Sequence, residues 1–216
     1  MNSARPKVLL LDLGNVTVRL KSAEFLAKLA PLCRRAPDPA GWKRILDDPS
    51  SGHHAYERGR VDGPAFHAFL VRGLGLSLDY PAWLELWNDY FEANRPMEAL
   101  LAGLRGQVRF WGLSNTNAEH LGHLRREYRV LDSFEGITAS NEVGAAKPEP
   151  AIYAAALRSL GVAGVEVLYL DDIPSYILAA EAFGIRGFHY TFNDAALARA
   201  LEGFGLSPPN QFVSKK

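Results

Sequence analysis

Five side chains in this sequence have the types and settings to do acid, metal or phosphate chemistry together: Asp12, Ser114, Lys147, Asp171 and Asp172. Each follows a short apolar run or stands in a loop beyond one. A carboxylate in such a place can attack an electrophile or hold a metal, and a hydroxyl or ammonium can stabilise charge on a transferring group. Singly, most have a plain structural reading. Asp12 suits a turn or cap, Ser114 could cap a helix starting near Asn117, and Lys147, before Pro148, could be a solvated loop residue. The Asp171–Asp172 pair resists such a reading, because adjacent carboxylates repel one another unless a cation or donors are close. A divalent metal satisfies them best.

The elements that must position these residues are legible in the apolar runs. Residues 7–11, 108–113, 165–170 and 187–190 read as strands buried on both faces, with a weaker fifth at 134–138. Helical patterns cover 117–126, 174–183 and 195–201. A further one runs through PEPAIYAAALRSLG, where Pro148 suits the first turn and Gly161 a stop. This alternation implies an α/β fold, a Rossmann-like open parallel sheet with right-handed crossovers. All five side chains then fall at the carboxyl edge of one sheet, where such folds bind ligands. Stability alone gives no reason to gather them there.

Residues 21–95 break the alternation. They are rich in Trp, Leu, Ala and His without a strand-length β-branched run, and they read as a small helical cap inserted after the first strand. The expected division is a core of residues 1–20 and 96–216 and a cap of 21–95. Within the cap, Trp42, Trp83 and Trp87 are expected to pack internally, while His53 and His54 are expected in a loop. Glu57 and Arg58 are expected to face the substrate, and Trp111 to lie in the core.

Composition narrows the partners. The chain has 216 residues, 24 basic against 24 acidic, and 48% hydrophobic content. Zero net charge offers no field for nucleic acid or an anionic membrane, and no run approaches the roughly 18 apolar residues of a membrane span. The apolar run that meets Asp12 is too short for a signal peptide. A single cysteine, Cys33, forms no internal disulfide and suits a reducing compartment. The expectation is a cytoplasmic protein, monomer or homodimer, acting on a small molecule.

The fragments DLGNV, LSNTN, NEVGAAKPEPAIY and YLDDIP, in this order and in strand-like contexts, resemble the haloacid dehalogenase superfamily of hydrolases. They are similar in particular to its sugar-phosphate phosphatases and the N-terminal domains of soluble epoxide hydrolases; YERGRVDGPAF resembles a cap segment of that subgroup. The resemblance implies an Mg²⁺-dependent phosphomonoesterase acting on a small organic phosphate, a sugar phosphate being one candidate, through an aspartyl-phosphate on Asp12. It implies that Asp12, the carbonyl of Gly14, and Asp172 hold the metal, with Asp171 binding directly or through water. Ser114 and Lys147 would contact the phosphate. Leu13, Gly14 and Asn15 would add backbone donors, with Asn115 in support and Tyr176 reaching toward the pocket.

The resemblance also exposes a departure. The family's second aspartate, two residues after the nucleophile, usually protonates the leaving oxygen; here that position is Gly14. Positioned acid–base catalysis is typically worth about 10² to 10⁴ in rate. Two alternatives follow: a catalytically weak phosphate- or protein-binding module, or a metal-free haloacid dehalogenase. The acidic pair favours phosphoryl transfer over the latter.

Overall fold

The computed structural model describes residues 5–48 and 52–212. The chain opens with β1 (Val8–Leu11) and β2 (Val18–Leu20), and continues through α1 (Ser22–Leu29), α2 (Pro39–Asp47), α3 (Gly52–Glu57), α4 (Gly63–Leu74) and α5 (Tyr80–Asn88). After β3 (Phe91–Ala93) and α6 (Arg95–Leu104) come β4 (Arg109–Ser114), α7 (Ala118–Glu127), β5 (Gly136–Ala139), α8 (Ser140–Val143) and α9 (Pro150–Leu160). The second half ends with β6 (Val167–Asp171), α10 (Pro174–Glu181), β7 (Arg186–His189) and α11 (Asp194–Gly203).

Five strands form one parallel sheet in the order β5-β4-β1-β6-β7. The Rossmann-like α/β architecture expected from the alternation is therefore the observed one. The sheet is apolar on both faces because each strand sends alternate side chains to opposite sides. Leu9 and Leu11 join Leu100, Leu104, Leu121 and Leu197 on one face. Val8 and Leu10 join Ile152, Tyr153, Ala156 and Ile177 on the other. β1 sits between β4 and β6, and the chain crosses to opposite sides of it, which opens a crevice at its carboxyl end. Asp12 follows directly.

The helices α1 to α5 build a separate aromatic core around Phe25, Trp42, Tyr56, Phe66, Trp83 and Trp87. Trp83 and Trp87 stack with centroids 5.4 Å apart. This unit is joined to the sheet through β2 and β3, which pair antiparallel. The N-caps of α2, α4 and α5 are Asp38, Asp62 and Asp79, each accepting a backbone N–H with a proline in the first turn behind it. Such caps offset the unpaired donors of short helices.

Several boundaries differ from those expected. The sixth strand starts at Val167, since Val165 is 63% exposed in a preceding 3₁₀ turn. The α9 helix starts at Pro150 rather than Pro148. His53 and His54 lie in α3, not in a loop. The β2–β3 ribbon went unread because its strands are three residues each, too short for alternation to register. The run PPNQFVSKK at the carboxyl end, which reads as a surface tail, lies within the described residues only as far as Phe212. No helix among the described residues is long and apolar enough to cross a membrane.

Candidate active site

The site grows from the ends of β1, β4 and β6. Asp12 leaves β1 into a tight turn in which the Thr17 hydroxyl donates to the Asp12 carbonyl at 2.7 Å. The Val18 N–H donates to the Leu13 carbonyl at 2.9 Å. Asn15 carries the strain of that turn, with φ +57°, in the left-handed region that Asn tolerates better than most residues. Its amide donates to Asp172 Oδ2 at 3.1 Å, and its Oδ1 accepts from the Leu20 N–H at 3.3 Å. The Asn15 side chain thus orients Asp172 rather than pointing free into the crevice.

Lys147 is the hub. It is 3% exposed, far from a solvated loop residue. Its Nζ lies 2.8 Å from Asp12 Oδ1 and 2.7 Å from Asp171 Oδ2, and donates to the Leu113 carbonyl at 3.1 Å. All three ammonium hydrogens have partners, which fixes the charge beneath the carboxylates. The ring of Tyr176 lies 5.0 Å from Nζ, a cation–π distance. Asn115 grips the Lys147 peptide from both sides: its Oδ1 accepts from the Lys147 N–H at 2.7 Å, and its Nδ2 donates to the Lys147 carbonyl at 3.0 Å. Its amide is therefore spent on positioning Lys147, and the Tyr176 hydroxyl lies 3.4 Å from Nδ2.

Asp171 is fully buried. Its Oδ2 accepts from Lys147 and the Tyr169 hydroxyl, and its Oδ1 accepts from the Ile173 N–H at 2.8 Å. Asp12, Asp171 and Asp172 each place a carboxylate oxygen within 4.8 Å of the others. Burial pushes the Asp12 carboxyl up to about 7, against the pull of Lys147 and with the repulsion of Asp171 and Asp172. Burial likewise raises Asp172. Burial disfavours the Lys147 charge, but Asp12 and Asp171 outweigh it and hold the ammonium above its ordinary range.

Ser114 ends β4 at 3% exposure. The cap of α7 is Asn117, whose side chain accepts the His120 N–H at 2.9 Å, so the Ser114 hydroxyl has no capping duty. Asp12, Leu13, Gly14, Asn15, Ser114, Asn115, Lys147, Asp172 and Tyr176 all line one cavity of about 580 Å³ between the sheet edge and the helical unit. Asp171 lies beneath its floor. The helical side supplies Trp42, Leu46, His53, His54, Glu57, Arg58 and Trp87, with Leu20, Tyr90 and Phe91 nearby. A larger groove of about 960 Å³ near Arg95 and Arg129 shares Phe91 but none of these polar groups.

The expectation for Arg58 changes. It lines the cavity, but its guanidinium pairs with Glu149 of the core, donates from Nε at 3.1 Å, and bonds the His54 carbonyl at 3.0 Å. Trp42 and Trp87 pack internally as expected while also forming cavity wall. Trp111 is half-buried, its indole N–H donating to Thr138 at 2.9 Å. Ser140, Tyr169 and His120 carry no local sequence signal for their roles. Ser140 Oγ donates to the Glu57 carbonyl at 2.6 Å and accepts from the Thr116 N–H at 2.9 Å. His120 stacks on Trp87 at 4.5 Å.

An open parallel sheet whose carboxyl edge gathers these carboxylates around one lysine is a Rossmann-like framework fitted for acid and metal chemistry. The haloacid dehalogenase-like hydrolases match over residues 7–184, and the chain belongs to that family. A sesquiterpene phosphatase, astK, of Aspergillus oryzae is 28% identical over 138 residues, spanning 63% of this chain and 70% of its own length. The family enzyme bt-2542 of Bacteroides thetaiotaomicron, solved in complex with magnesium and inorganic phosphate, is 25% identical with a TM-score of 0.71 over 85% of this chain and 93% of its own. A predicted family hydrolase of Porphyromonas gingivalis, 24% identical, shares the fold with a TM-score of 0.73 over 92% of this chain and 98% of its own.

Proposed function

We propose that this chain is an Mg²⁺-dependent phosphomonoesterase that uses Asp12 as nucleophile on a small organic phosphate. The observation that carries the reading is Lys147 Nζ, buried between Asp12 and Asp171 beside Ser114 and Asp172. Asp12 attacks phosphorus through a carboxylate oxygen, forming an aspartyl-phosphate as the ester oxygen leaves, and water then releases phosphate. Ser114 donates to a phosphate oxygen. Lys147 holds Asp12 in place and offsets the negative charge that accumulates at the phosphoryl group.

The donor set fits a divalent ion. One lysine faces three clustered carboxylates, so the site with all of them ionised carries two uncompensated negative charges in a poorly solvated place. Asp171 already accepts three hydrogen bonds from protein donors, so Asp12, Asp172 and the Gly14 carbonyl are the groups most open to hold the ion, while Asp171 anchors Lys147. A bound Mg²⁺ would supply charge neutralisation at the phosphate. The same charge count argues against the metal-free dehalogenase.

Residues 21–95 act as the cap and the rest as the core. The wall of Leu20, Trp42, Leu46, Trp87, Tyr90 and Phe91 favours an ester with an apolar or aromatic organic part over a bare sugar phosphate. The name of the Aspergillus relative agrees with that preference. Cytoplasmic action fits the single free cysteine, Cys33. The test is phosphate release from p-nitrophenyl phosphate with Mg²⁺ and with EDTA. Release with Mg²⁺, lost in EDTA and in Asp12→Asn, is expected; activity that survives both would sink the proposal.

A further inference from the structure

Cleaving a phosphate from an alcohol requires a proton at the leaving oxygen, and the turn from Leu13 to Val16 contains no group that could give one. In an in-line displacement the leaving oxygen lies opposite the nucleophile. Since Asp12 attacks from the sheet, that oxygen faces the helical unit, and with no donor at Gly14 that unit is the other side from which one can reach it.

Facing that oxygen, the titratable groups lining the cavity are His53, His54, Glu57, Arg58 and Tyr90 of the helical unit and His120 of α7. The Arg58 guanidinium is committed to Glu149. His54 Nδ1 lies 3.2 Å from Arg58 Nη1. The Tyr90 hydroxyl pairs with Ser22 at 2.8 Å. His120 is bonded at both nitrogens, to Asn117 at 3.2 Å and to the Trp87 carbonyl at 3.0 Å. Glu57 is different. Among the described residues its carboxyl group has no hydrogen bond, and its nearest titratable neighbour is His53, with Nε2 at 3.7 Å, one turn earlier on α3. Both line the cavity.

The backbone that carries Glu57 is fastened to the core at three successive residues. The Tyr56 hydroxyl donates to Glu119 at 2.5 Å, the Glu57 carbonyl accepts from Ser140, and Arg58 pairs with Glu149. Ser140 in turn holds Thr116, two residues beyond Ser114. The Glu57 carboxyl is thus held at the wall of the cavity that Asp12 also lines, by contacts that its own side chain does not make.

We infer that Glu57, oriented by His53, is the proton donor to the leaving group, doing from the cap what Gly14 cannot do from the core. The inference rests on the phosphomonoesterase reading. As the bond from Asp12 to phosphorus forms and the bond from phosphorus to the leaving oxygen breaks, the Glu57 carboxyl proton passes to that oxygen and the alcohol departs. Glu57, now a carboxylate, takes a proton from the water that attacks phosphorus, and Asp12 is released as phosphate leaves. His53 is a positioning residue here.

The test compares p-nitrophenyl phosphate, whose leaving group needs no proton, with benzyl phosphate, whose alcohol does. For Glu57→Gln, kcat on benzyl phosphate should fall by about 10² or more while p-nitrophenyl phosphate turnover falls less than about fivefold, and Glu57→Asp should recover part of the loss. Equal losses on both esters, or no loss on benzyl phosphate, overturn the inference and leave the phosphatase reading standing. A wild-type protein that hydrolyses neither ester with Mg²⁺ overturns both.

Discussion

Lys147→Met removes the hub charge while nearly preserving length and volume, so it isolates what the ammonium does. In the native site one buried Nζ stands 2.8 Å from Asp12 and 2.7 Å from Asp171, and Asp171 is fully buried. Breaking a buried ion pair from one side typically costs about 3 to 5 kcal/mol, because the remaining charge is stranded. Here two carboxylates lose their partner, although Asp171 keeps Tyr169 and the Ile173 N–H, which places the expected loss in that same range. For a chain of this size each kcal/mol shifts Tm by about 2 to 4 °C, so a fall of roughly 6 to 20 °C follows. Urea unfolding at neutral pH in EDTA, followed by far-UV circular dichroism, reads it out. The deficit should shrink as the pH is lowered and the stranded carboxylates take up protons. A variant within about 1 kcal/mol of wild type would mean that Lys147 is not what balances the acidic floor.

Two further outcomes follow from other parts of the molecule. Burial, only partly opposed by the bond to the Trp87 carbonyl, depresses His120 from 6.5 to about 3. A folded value below the unfolded one means its neutral form is the stable one, so this contribution is intact above pH 6.5 and is lost as pH falls. Between pH 7 and 5 the loss is about 2 kcal/mol, and His120→Phe should flatten the pH dependence of unfolding by that amount; identical slopes would refute it. Gly14 has an ordinary φ, and a Cβ there would meet the Leu20 side chain at 3.4 Å, a van der Waals contact. Gly14→Asp should therefore fold with a stability change within about 1 kcal/mol, and in the Glu57→Gln background it should raise benzyl phosphate turnover about tenfold or more. A misfolded protein or an unchanged rate would contradict this.

The core sheet was legible because parallel strands buried on both faces leave unbroken apolar runs, and the polar residues at their ends announce the edge where a ligand can sit. VLLL, RFWGLS and VLYLD each carry that signature. What stayed hidden depends on distance along the chain. Arg58 pairs with Glu149 across 91 positions and Tyr56 with Glu119 across 63, and neither partner signals the other locally. The α3 helix is six residues, GHHAYE, too short to show a period. Asn15, expected to offer its backbone N–H, and Asn115, expected as a supporting donor, prove to use their side chains as braces for Asp172 and Lys147. In each case the residue type was suggestive and the partner decided the role.

The measurement that bears most directly on Asp12 as nucleophile is acid quenching of the protein during turnover of p-nitrophenyl phosphate with Mg²⁺, followed by mass spectrometry of its peptides. The expected result is a phosphorylated peptide whose modified residue is Asp12, absent in Asp12→Asn and in EDTA. Steady release of phosphate with Asp12 never modified would contradict the account.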